Sequence, residues 1–218
     1  MKKKYILFDL DGTLTDPALG ITNSIMYALD KMNVPCPKRE DLYVFIGPPL
    51  HASFMDFFHF DSMQADQAMA YYREYFKTKG LLENSLYPHT EKLLKQLKEE
   101  GYLLALATSK PLPFAKKIME HFHLARYMDV ICGSDPKKRS ESKADVIKDV
   151  LTFFNNPQPE LCLMIGDRKF DAIGASTFNI DCLGVTYGYG SLEELQNSHC
   201  IAIVNDEMEI LNYLKKAS

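Results

Sequence analysis

The sequence lacks any apolar run of the ~20 residues that a membrane-spanning helix requires. Its first apolar run, residues 5–8, follows three lysines but is interrupted at Asp9. This run is too short for the apolar part of a secretion signal. We therefore expect neither export nor insertion into a membrane.

The cysteines lack the paired spacing of a zinc site or a redox motif. The five cysteines are an odd number, and no two of them have the C-x-x-C spacing of a zinc site or a redox motif. Cys132, Cys162 and Cys182 lie in apolar runs, where buried and inert thiols are expected. This usage predicts a reducing, cytoplasmic location.

The chain also lacks an excess of positive charge. Its 25 Lys and Arg residues face 29 Asp and Glu residues, which gives a formal net charge of −4. Such a chain has no general attraction to a nucleic acid polymer or an anionic membrane, so neither is expected as a partner. A bound polyanion would need a local positive site.

Several common catalytic motifs are missing. There is no G-x-x-x-x-G-K-[ST] phosphate loop, no G-x-S-x-G nucleophile turn and no H-E-x-x-H zinc motif. What remains is a chain of 218 residues, 46% of them hydrophobic. That is enough for one domain, or for a core with a smaller insert.

Short continuous apolar runs alternate with segments of helical period from about residue 88 onward. Continuous runs are typical of strands that are buried on both faces of a parallel sheet. The pattern predicts an α/β fold with a doubly wound parallel sheet. The predicted strands are 5–8, 103–107, 128–132, 161–165, 182–186 and 201–204, and the predicted helices are 91–100, 114–122, 143–153, 170–178, 192–197 and 207–215.

The stretch from residue 17 to residue 82 breaks this alternation. It contains four predicted helices, 21–32, 39–44, 50–57 and 64–77, separated by turns rich in Pro and Gly. We interpret it as an all-helical cap inserted into a catalytic core that consists of residues 1–16 and 83–218. Residues 84–89 are the predicted return crossing.

The first chemical motif comes directly after the first strand. Asp9 and Asp11 are two residues apart, so in an extended segment both carboxylates point the same way. Gly12 allows a sharp turn in which backbone N–H groups can face a phosphate. An ordinary Asp-Gly turn is the simpler interpretation of this motif alone. A calcium loop is excluded, because Leu14 and Gly20 stand where it needs Gly and Glu.

Three further motifs follow other strands of the predicted sheet. Thr108, Ser109 and Lys110 could hold a phosphate oxygen, and Lys143 begins a helix where it could neutralise a phosphate. Asp167 lies at a strand tip with Asp171 one helical turn later. Taken singly, these motifs also fit a polar loop, a solvated lysine and a helix N-terminus that favours acids. A loop of alternating Tyr and Gly, residues 187–190, is placed near the same face.

In combination and in this order, the four motifs resemble the haloacid dehalogenase-like phosphohydrolase superfamily, over essentially the whole chain. The sequence is most similar to its group of phosphoglycolate phosphatases and 5'-nucleotidases, in residues 20–22, 45–50 and 83–88. The resemblance implies an enzyme, a phosphoric monoester hydrolase. Its substrate would be a small phosphorylated metabolite, with phosphoglycolate or a 5'-nucleotide expected.

The resemblance also implies residue roles. Asp9 would be the nucleophile and a metal ligand, and Asp11 the general acid and base, with its carbonyl on the metal. Lys143 would be a cationic clamp, while Asp167 would bind the metal and Asp171 would orient the ligands around it. Thr108 and the amide of Ser109 would hold the phosphoryl oxygens, and the other predicted substrate contacts are Gly12, Lys110 and Arg73.

A charge count also indicates a bound metal cation. Asp9, Asp11, Asp167 and Asp171 bring four negative charges, and a substrate phosphate brings about 1.5 to 2 more. Lys143 supplies a single positive charge, so the site would repel its substrate without a divalent cation. Oxygen ligands favour Mg²⁺ over zinc.

Two other functions stay open from the sequence. A phosphomutase of the superfamily would share all four motifs, but it carries a histidine after the nucleophile that residues 18–23 lack. A receiver module that is phosphorylated on aspartate would have neither the helical cap nor the last motif. We further expect the turn at residues 47–49, with Arg73 or His51, to close over the leaving group. A monomer is expected, with a dimer left open.

Overall fold

The computed structural model describes residues 2–135 and 142–216. Lys137, Lys138 and Arg139, which surround Lys143 with positive charge in the sequence, lie outside the described residues. The chain divides into two compact units. The first unit combines Met1–Thr15 with Leu86–Ser218, and the second unit is Asp16–Ser85.

A six-stranded parallel sheet forms the centre of the first unit. Its strands are β1 (Tyr5–Phe8), β4 (Leu103–Pro111), β5 (Val130–Ser134), β6 (Cys162–Gly166), β7 (Asp181–Val185) and β8 (Ala202–Val204). They lie in the order β5-β4-β1-β6-β7-β8, so β1 is central. Tyr5 is in register with Leu103 of β4 and with Cys162 of β6. Ile6, Leu7 and Phe8 of β1 have no exposed surface, as expected of a strand covered on both faces.

Helices cover both faces of this sheet. They are α4 (Thr90–Glu99), α5 (Leu112–His121), α6 (Lys143–Phe153), α7 (Lys169–Ser176), α8 (Leu192–Asn197) and α9 (Glu207–Lys216). On one face, Leu7 and Met164 pack with Val146, Ile147 and Ala172 of the helices. The α6 helix begins with a capping box, in which Ser142 and Asp145 each accept a hydrogen bond from the other's backbone N–H. The predicted doubly wound α/β fold is therefore confirmed.

The structure corrects one strand boundary that matters for function. The sequence predicts that β4 ends at residue 107, but the strand continues to Pro111 because Thr108 still pairs with Gly133 of β5. The register then shifts between Thr108 and Pro111. A side chain on Gly133 would overlap the Lys110 carbonyl, so a glycine is needed here. Thr108, Ser109 and Lys110 thus lie within an irregular strand end, not after it.

The second unit is helical, as predicted. It contains α1 (Ala18–Lys31), a 3₁₀ helix (Arg39–Phe45), α2 (Leu50–Phe58), α3 (Ser62–Tyr75) and a π-helical segment (Phe76–Gly80). Asp61 caps α3 through a capping box with Gln64. Two strands that the sequence does not predict, β2 (Thr15–Asp16) and β3 (Ser85–Leu86), pair with each other. Each has only two residues, too few for a periodic signal. The cap boundaries at residues 17 and 82 stay a prediction.

Close glycine packing joins α1 to the π-helical segment. A side chain on Gly20 would lie 2.8 Å from the Glu83 carbonyl oxygen and would overlap the carbonyl oxygen of Gly80. The Gly20 N–H donates to the same Glu83 oxygen at 2.9 Å. This contact needs glycine because the backbones approach directly. None of the described helices has the length and hydrophobicity needed to cross a bilayer.

Candidate active site

The central strand order brings the predicted site residues of the first unit to one edge of the sheet. Asp9 follows β1, Asp167 follows β6, and Thr108 lies near the end of β4. Because these three strands are adjacent and parallel, their carboxyl ends meet at the same edge. Ligands of open α/β sheets bind at this edge.

Three buried aspartates gather there. Carboxylate oxygens of Asp9, Asp167 and Asp171 all lie within 4.8 Å of one another. Asp171 reaches the group from the first turn of α7, where it also accepts a hydrogen bond from the Arg168 N–H at 3.1 Å. Asp9 is 7% exposed, and Asp167 and Asp171 are fully buried. The sequence predicted that these acids would meet; their individual roles stay predictions.

Lys143 is the cation at the centre of this cluster. Its Nζ atom lies 2.8 Å from Asp9 Oδ1 and 2.8 Å from Asp171 Oδ1. It also donates to the carbonyl oxygen of Ala107 at 3.0 Å. Burial alone would lower the pKa of Lys143, but the charges of Asp171 and Asp9 outweigh burial and raise the pKa. The lysine therefore stays charged inside the site.

The acids carry more negative charge than Lys143 can balance. Burial, together with the charges of Asp171 and Asp9, raises the pKa of Asp167 well above its ordinary value. Burial also raises the pKa of Asp171 to about 6, although Lys143 opposes the shift. The three acids supply only carboxylate oxygens, the donors that hard divalent cations prefer. The cluster therefore fits a divalent cation.

Asp11 stands apart from this cluster and has its own cation. The Lys110 ammonium contacts the Asp11 carboxylate, and both side chains are largely buried. Burial raises the pKa of Asp11, while the charge of Lys110 and its hydrogen bond oppose the rise. The sequence assigned Lys110 to substrate binding and did not predict this pair. A substrate contact of Lys110 stays a prediction.

The turn after Asp9 depends on Gly12. The Gly12 N–H donates to the Thr15 carbonyl oxygen at 2.8 Å. The predicted approach of backbone N–H groups of this turn to a phosphate, and the predicted substrate contact of Gly12, stay predictions. The structure shows why this position is a glycine. Its φ is +82°, and a side chain there would lie 2.8 Å from Asp167 Oδ1. Gly12 therefore shapes the site through its backbone conformation and its lack of a side chain.

The two predicted phosphate contacts on β4 differ in exposure. Thr108 is 2% exposed, and its Oγ1 accepts a hydrogen bond from the Lys110 N–H at 3.2 Å. Ser109 is exposed, and its carbonyl oxygen accepts a hydrogen bond from Ser134 Oγ at 2.8 Å. Phosphate binding by Thr108 and by the Ser109 amide stays a prediction.

Arg73 and His51 belong to the second unit. Arg73 is exposed on α3, and His51 Nε2 lies 3.4 Å from Asp66 Oδ1. Their predicted part in closing over the leaving group stays a prediction.

The sequence assigned no role to the loop at residues 187–190, which lies against the cluster. The Tyr189 N–H donates to Asp167 Oδ2 at 2.7 Å. A signal was present, because two glycines alternate with tyrosines directly beyond a strand that neighbours β6. The contact uses a backbone N–H, however, which every residue except proline carries.

Comparisons with known proteins agree with these motifs. The family described as haloacid dehalogenase-like hydrolase matches residues 6–185. A protein named 5'-nucleotidase from Pseudomonas aeruginosa is 44% identical over 191 residues, which cover 88% of this chain and 86% of that protein. The tyrosine-protein kinase PtkA of Mycobacterium tuberculosis is 34% identical over 202 residues, which cover 93% of this chain and 68% of that protein.

A solved structure shares the whole fold. The crystal structure of a predicted phosphatase from Clostridium acetobutylicum is 45% identical, with a TM-score of 0.93. The alignment covers 99% of this chain and 100% of the other. Since the family match spans most of the sequence, including β1, β4 and β6, the chain belongs to the haloacid dehalogenase-like hydrolase family.

Proposed function

We propose that this protein is a magnesium-dependent phosphatase that hydrolyses small phosphate monoesters through a phosphoryl group carried on Asp9. The observation that carries the proposal is the contact of Lys143 with Asp9 inside a group of three buried aspartates. Phosphoryl transfer needs a positioned nucleophile and positive charge around the transferred oxygens. Asp9 and Lys143 supply both at one point.

The donor set supports Mg²⁺ as the cation. Asp9 and Asp167 would hold it, with the Asp11 carbonyl as a further ligand and Asp171 beside them. Bound there, Mg²⁺ would neutralise charge on the phosphoryl oxygens and so allow an anionic substrate to approach anionic Asp9. Lys143 would share this task, since its ammonium already lies between Asp9 and Asp171.

In the first step, an oxygen of the Asp9 carboxylate attacks phosphorus. A bond from Asp9 to phosphorus forms, and the bond from phosphorus to the leaving oxygen breaks. Asp11 in its protonated form gives its proton to that oxygen, so that a neutral alcohol departs. Because burial raises the pKa of Asp11, it favours the protonated form that this step needs.

In the second step, a water molecule attacks the phosphoryl group on Asp9. Asp11, now a carboxylate, takes a proton from this water, and the bond between Asp9 and phosphorus breaks. Inorganic phosphate leaves, and both aspartates return to their starting forms. Lys110 stabilises the carboxylate form of Asp11 that this step needs, so Asp11 alternates between its two forms next to a fixed cation.

The substrate proposed first is a nucleoside 5'-monophosphate, with phosphoglycolate second. The nucleotide is proposed first because the Pseudomonas aeruginosa relative, which is 44% identical, is named 5'-nucleotidase. The PtkA relative raises a different function, transfer of phosphate to tyrosine. A tyrosine kinase would pass the phosphoryl group to a protein hydroxyl, whereas a phosphatase passes it to water.

The test is phosphate release from nucleoside 5'-monophosphates, phosphoglycolate, sugar phosphates and p-nitrophenyl phosphate, with Mg²⁺ or with EDTA. We expect hydrolysis that EDTA abolishes, and a phosphorylated Asp9 in acid-quenched enzyme by mass spectrometry. The Asp9→Asn variant should lose both signals, whereas Asp149→Asn, at an exposed acid on α6, should keep them.

Three outcomes would contradict the proposal. Full activity in Asp9→Asn would exclude the aspartyl phosphate. Conversion of a sugar phosphate to its isomer without release of phosphate would indicate a mutase. Transfer from ATP to tyrosine peptides without hydrolysis of any monoester would indicate a kinase.

A further inference from the structure

The loop Tyr187-Gly188-Tyr189-Gly190, named the 187–190 loop below, lies in direct contact with Asp167. It follows β7, which is the neighbour of β6 in the sheet, so it emerges beside the residue that follows β6. The Tyr189 N–H donates to Asp167 Oδ2 at 2.7 Å. No part of the predicted chemistry uses this loop.

Both glycines of the loop lie where any side chain would clash with neighbouring atoms. A side chain on Gly188 would lie 2.5 Å from Asp167 Oδ2 and would overlap the Gly12 carbonyl oxygen. A side chain on Gly190 would overlap the carbonyl oxygen of Asp167. Neither glycine has a positive φ, so backbone conformation does not require them. The loop backbone therefore packs against Asp167 at a distance that only glycine permits.

This packing distinguishes the two oxygens of Asp167. Oδ2 accepts the Tyr189 N–H, whereas Oδ1 is buried and accepts no hydrogen bond from any described residue. A buried carboxylate oxygen without a donor costs free energy unless a cation or a proton meets it. With Oδ2 held in place, Oδ1 is the oxygen that remains to meet a cation.

The same loop also holds the turn that carries Asp9 and Asp11. The Tyr187 hydroxyl donates to the Thr13 carbonyl oxygen at 2.9 Å. The Tyr187 ring packs edge-on against Tyr87, with 4.8 Å between ring centroids. Within the turn, the N–H groups of Thr13 and Leu14 both donate to the Leu10 carbonyl oxygen. One loop thus contacts both chain segments that supply acids to the site.

We infer that the 187–190 loop is a positioning element for the cation site, which orients Asp167 through the Tyr189 N–H and holds the turn after Asp9 through the Tyr187 hydroxyl. This inference rests on the proposed cation site. Hydrogen-bond partners of metal ligands typically change metal affinity by about 10- to 100-fold when they are lost. The 187–190 loop would belong to this class although it contributes no acid.

The test measures Mg²⁺ binding to the full chain by isothermal titration calorimetry, and Mn²⁺ binding by electron paramagnetic resonance. Gly188→Ala should bind both ions about 10- to 100-fold more weakly than the parent. Gly184→Ala is the matched control, because the nearest atoms to its new methyl group are side-chain ends at 3.2 to 3.3 Å. Gly184→Ala should bind Mg²⁺ and Mn²⁺ as tightly as the parent.

A second variant covers the case in which Gly188→Ala does not fold. Tyr187→Phe removes one hydroxyl and keeps the ring, and it should bind Mg²⁺ several-fold more weakly. Its kcat/KM should recover as Mg²⁺ is raised, which a general loss of structure would not do. Circular dichroism establishes that each variant is folded.

The outcomes separate the inference from the function on which it rests. If the parent binds Mg²⁺ and folded Gly188→Ala or Tyr187→Phe binds it equally well, the inference is wrong and the proposed function stands. If the parent binds neither ion and hydrolyses phosphate esters without them, the proposed function itself fails.

Discussion

The Lys110 ammonium contacts the Asp11 carboxylate, although the two residues are 99 positions apart in the chain. This contact gives each of the two aspartates in the first motif its own lysine, since Lys143 contacts Asp9. Two acids two residues apart are thereby held in different electrostatic surroundings. Such a difference is what separate roles as nucleophile and as acid and base require.

Replacing Lys110 should shift the pH dependence of the enzyme. Lys110 lowers the pKa of Asp11 against the effect of burial, so Lys110→Met should raise that pKa. Asp11 would then lose its proton at a higher pH, so the limb of the kcat profile that Asp11 controls should move upward. This is the acidic limb if the second step, which needs the Asp11 carboxylate, limits kcat, and the alkaline limb if the first step does. The measurement is kcat between about pH 5 and pH 8. Lys110→Arg keeps the positive charge and should shift the limb less; an unmoved limb in Lys110→Met would contradict the assignment of Asp11.

Replacing Lys143 should cost far more activity than replacing other lysines of its helix. Lys143→Met removes the cation between Asp9 and Asp171, and kcat/KM for p-nitrophenyl phosphate should fall about 10²- to 10³-fold. Lys148 lies exposed on the same helix, so Lys148→Met should retain the parent activity. If Lys143→Met and Lys148→Met had equal activity, Lys143 would have no role in the proposed reaction.

Cys200 should be reactive at neutral pH. A hydrogen bond from Cys182 lowers the pKa of the Cys200 thiol to about 7, although partial burial opposes the shift. Since the thiolate is the reactive form, alkylation of Cys200 by iodoacetamide should rise with pH and level off above about pH 7. Cys36 is mostly exposed, but its slight burial raises the pKa of its thiol. The alkylation rate of Cys36 should therefore still increase with pH in the range where the rate of Cys200 is constant.

Peptide mass spectrometry measures both rates in one sample. The comparison uses the pH midpoints and not the absolute rates, because the two thiols differ in exposure. A Cys182→Ala variant should move the Cys200 midpoint upward. The same midpoint for Cys200 and Cys36 would rule out the hydrogen bond as its cause.

Gly20→Ala should destabilise the protein even though alanine is the better helix former. Helix propensity favours alanine by about 1 kcal/mol. Against this, the new methyl group would overlap the Gly80 carbonyl oxygen, and overpacking of this kind costs about 1–3 kcal/mol. The clash is with backbone and cannot be relieved by a rotamer change, so a net loss in the free energy of unfolding is expected.

Urea denaturation with circular dichroism measures this loss. Leu19→Ala, at a half-exposed position next to Gly20 on α1, should change the free energy of unfolding much less. A Gly20→Ala protein as stable as the parent would mean that the two backbones do not approach as described.

The sequence was most informative where a signal is local. The bounds of β1 were predicted because a fully apolar run is cut off by Asp9. The bounds of α6 were predicted from the periodic pattern that begins at Lys143, and in the structure Ser142 caps its first turn. The fold class followed from these patterns, and the resemblance then named which acids would meet.

The missed features depend on partners that are distant in the chain. The β4 strand continues past residue 107 because Gly133 of β5 admits its backbone, and no residue of β4 itself signals this. The pair of Lys110 with Asp11 joins segments 99 residues apart. The 187–190 loop acts on Asp167 through a backbone N–H, which side-chain composition does not report.

The central position of β1 has a consequence for how the protein forms. Asp9 follows a strand that lies between β4 and β6, and the residues of both neighbouring strands are synthesised after it. Pairing of strands that are far apart in the sequence is slow, because the entropy cost of closing the long loop between them comes before any stabilising contact forms. A nascent chain that ends before Cys162 therefore holds Asp9, the proposed nucleophile, without Asp167 or Asp171, and the proposed site cannot assemble until β6 and α7 have been synthesised.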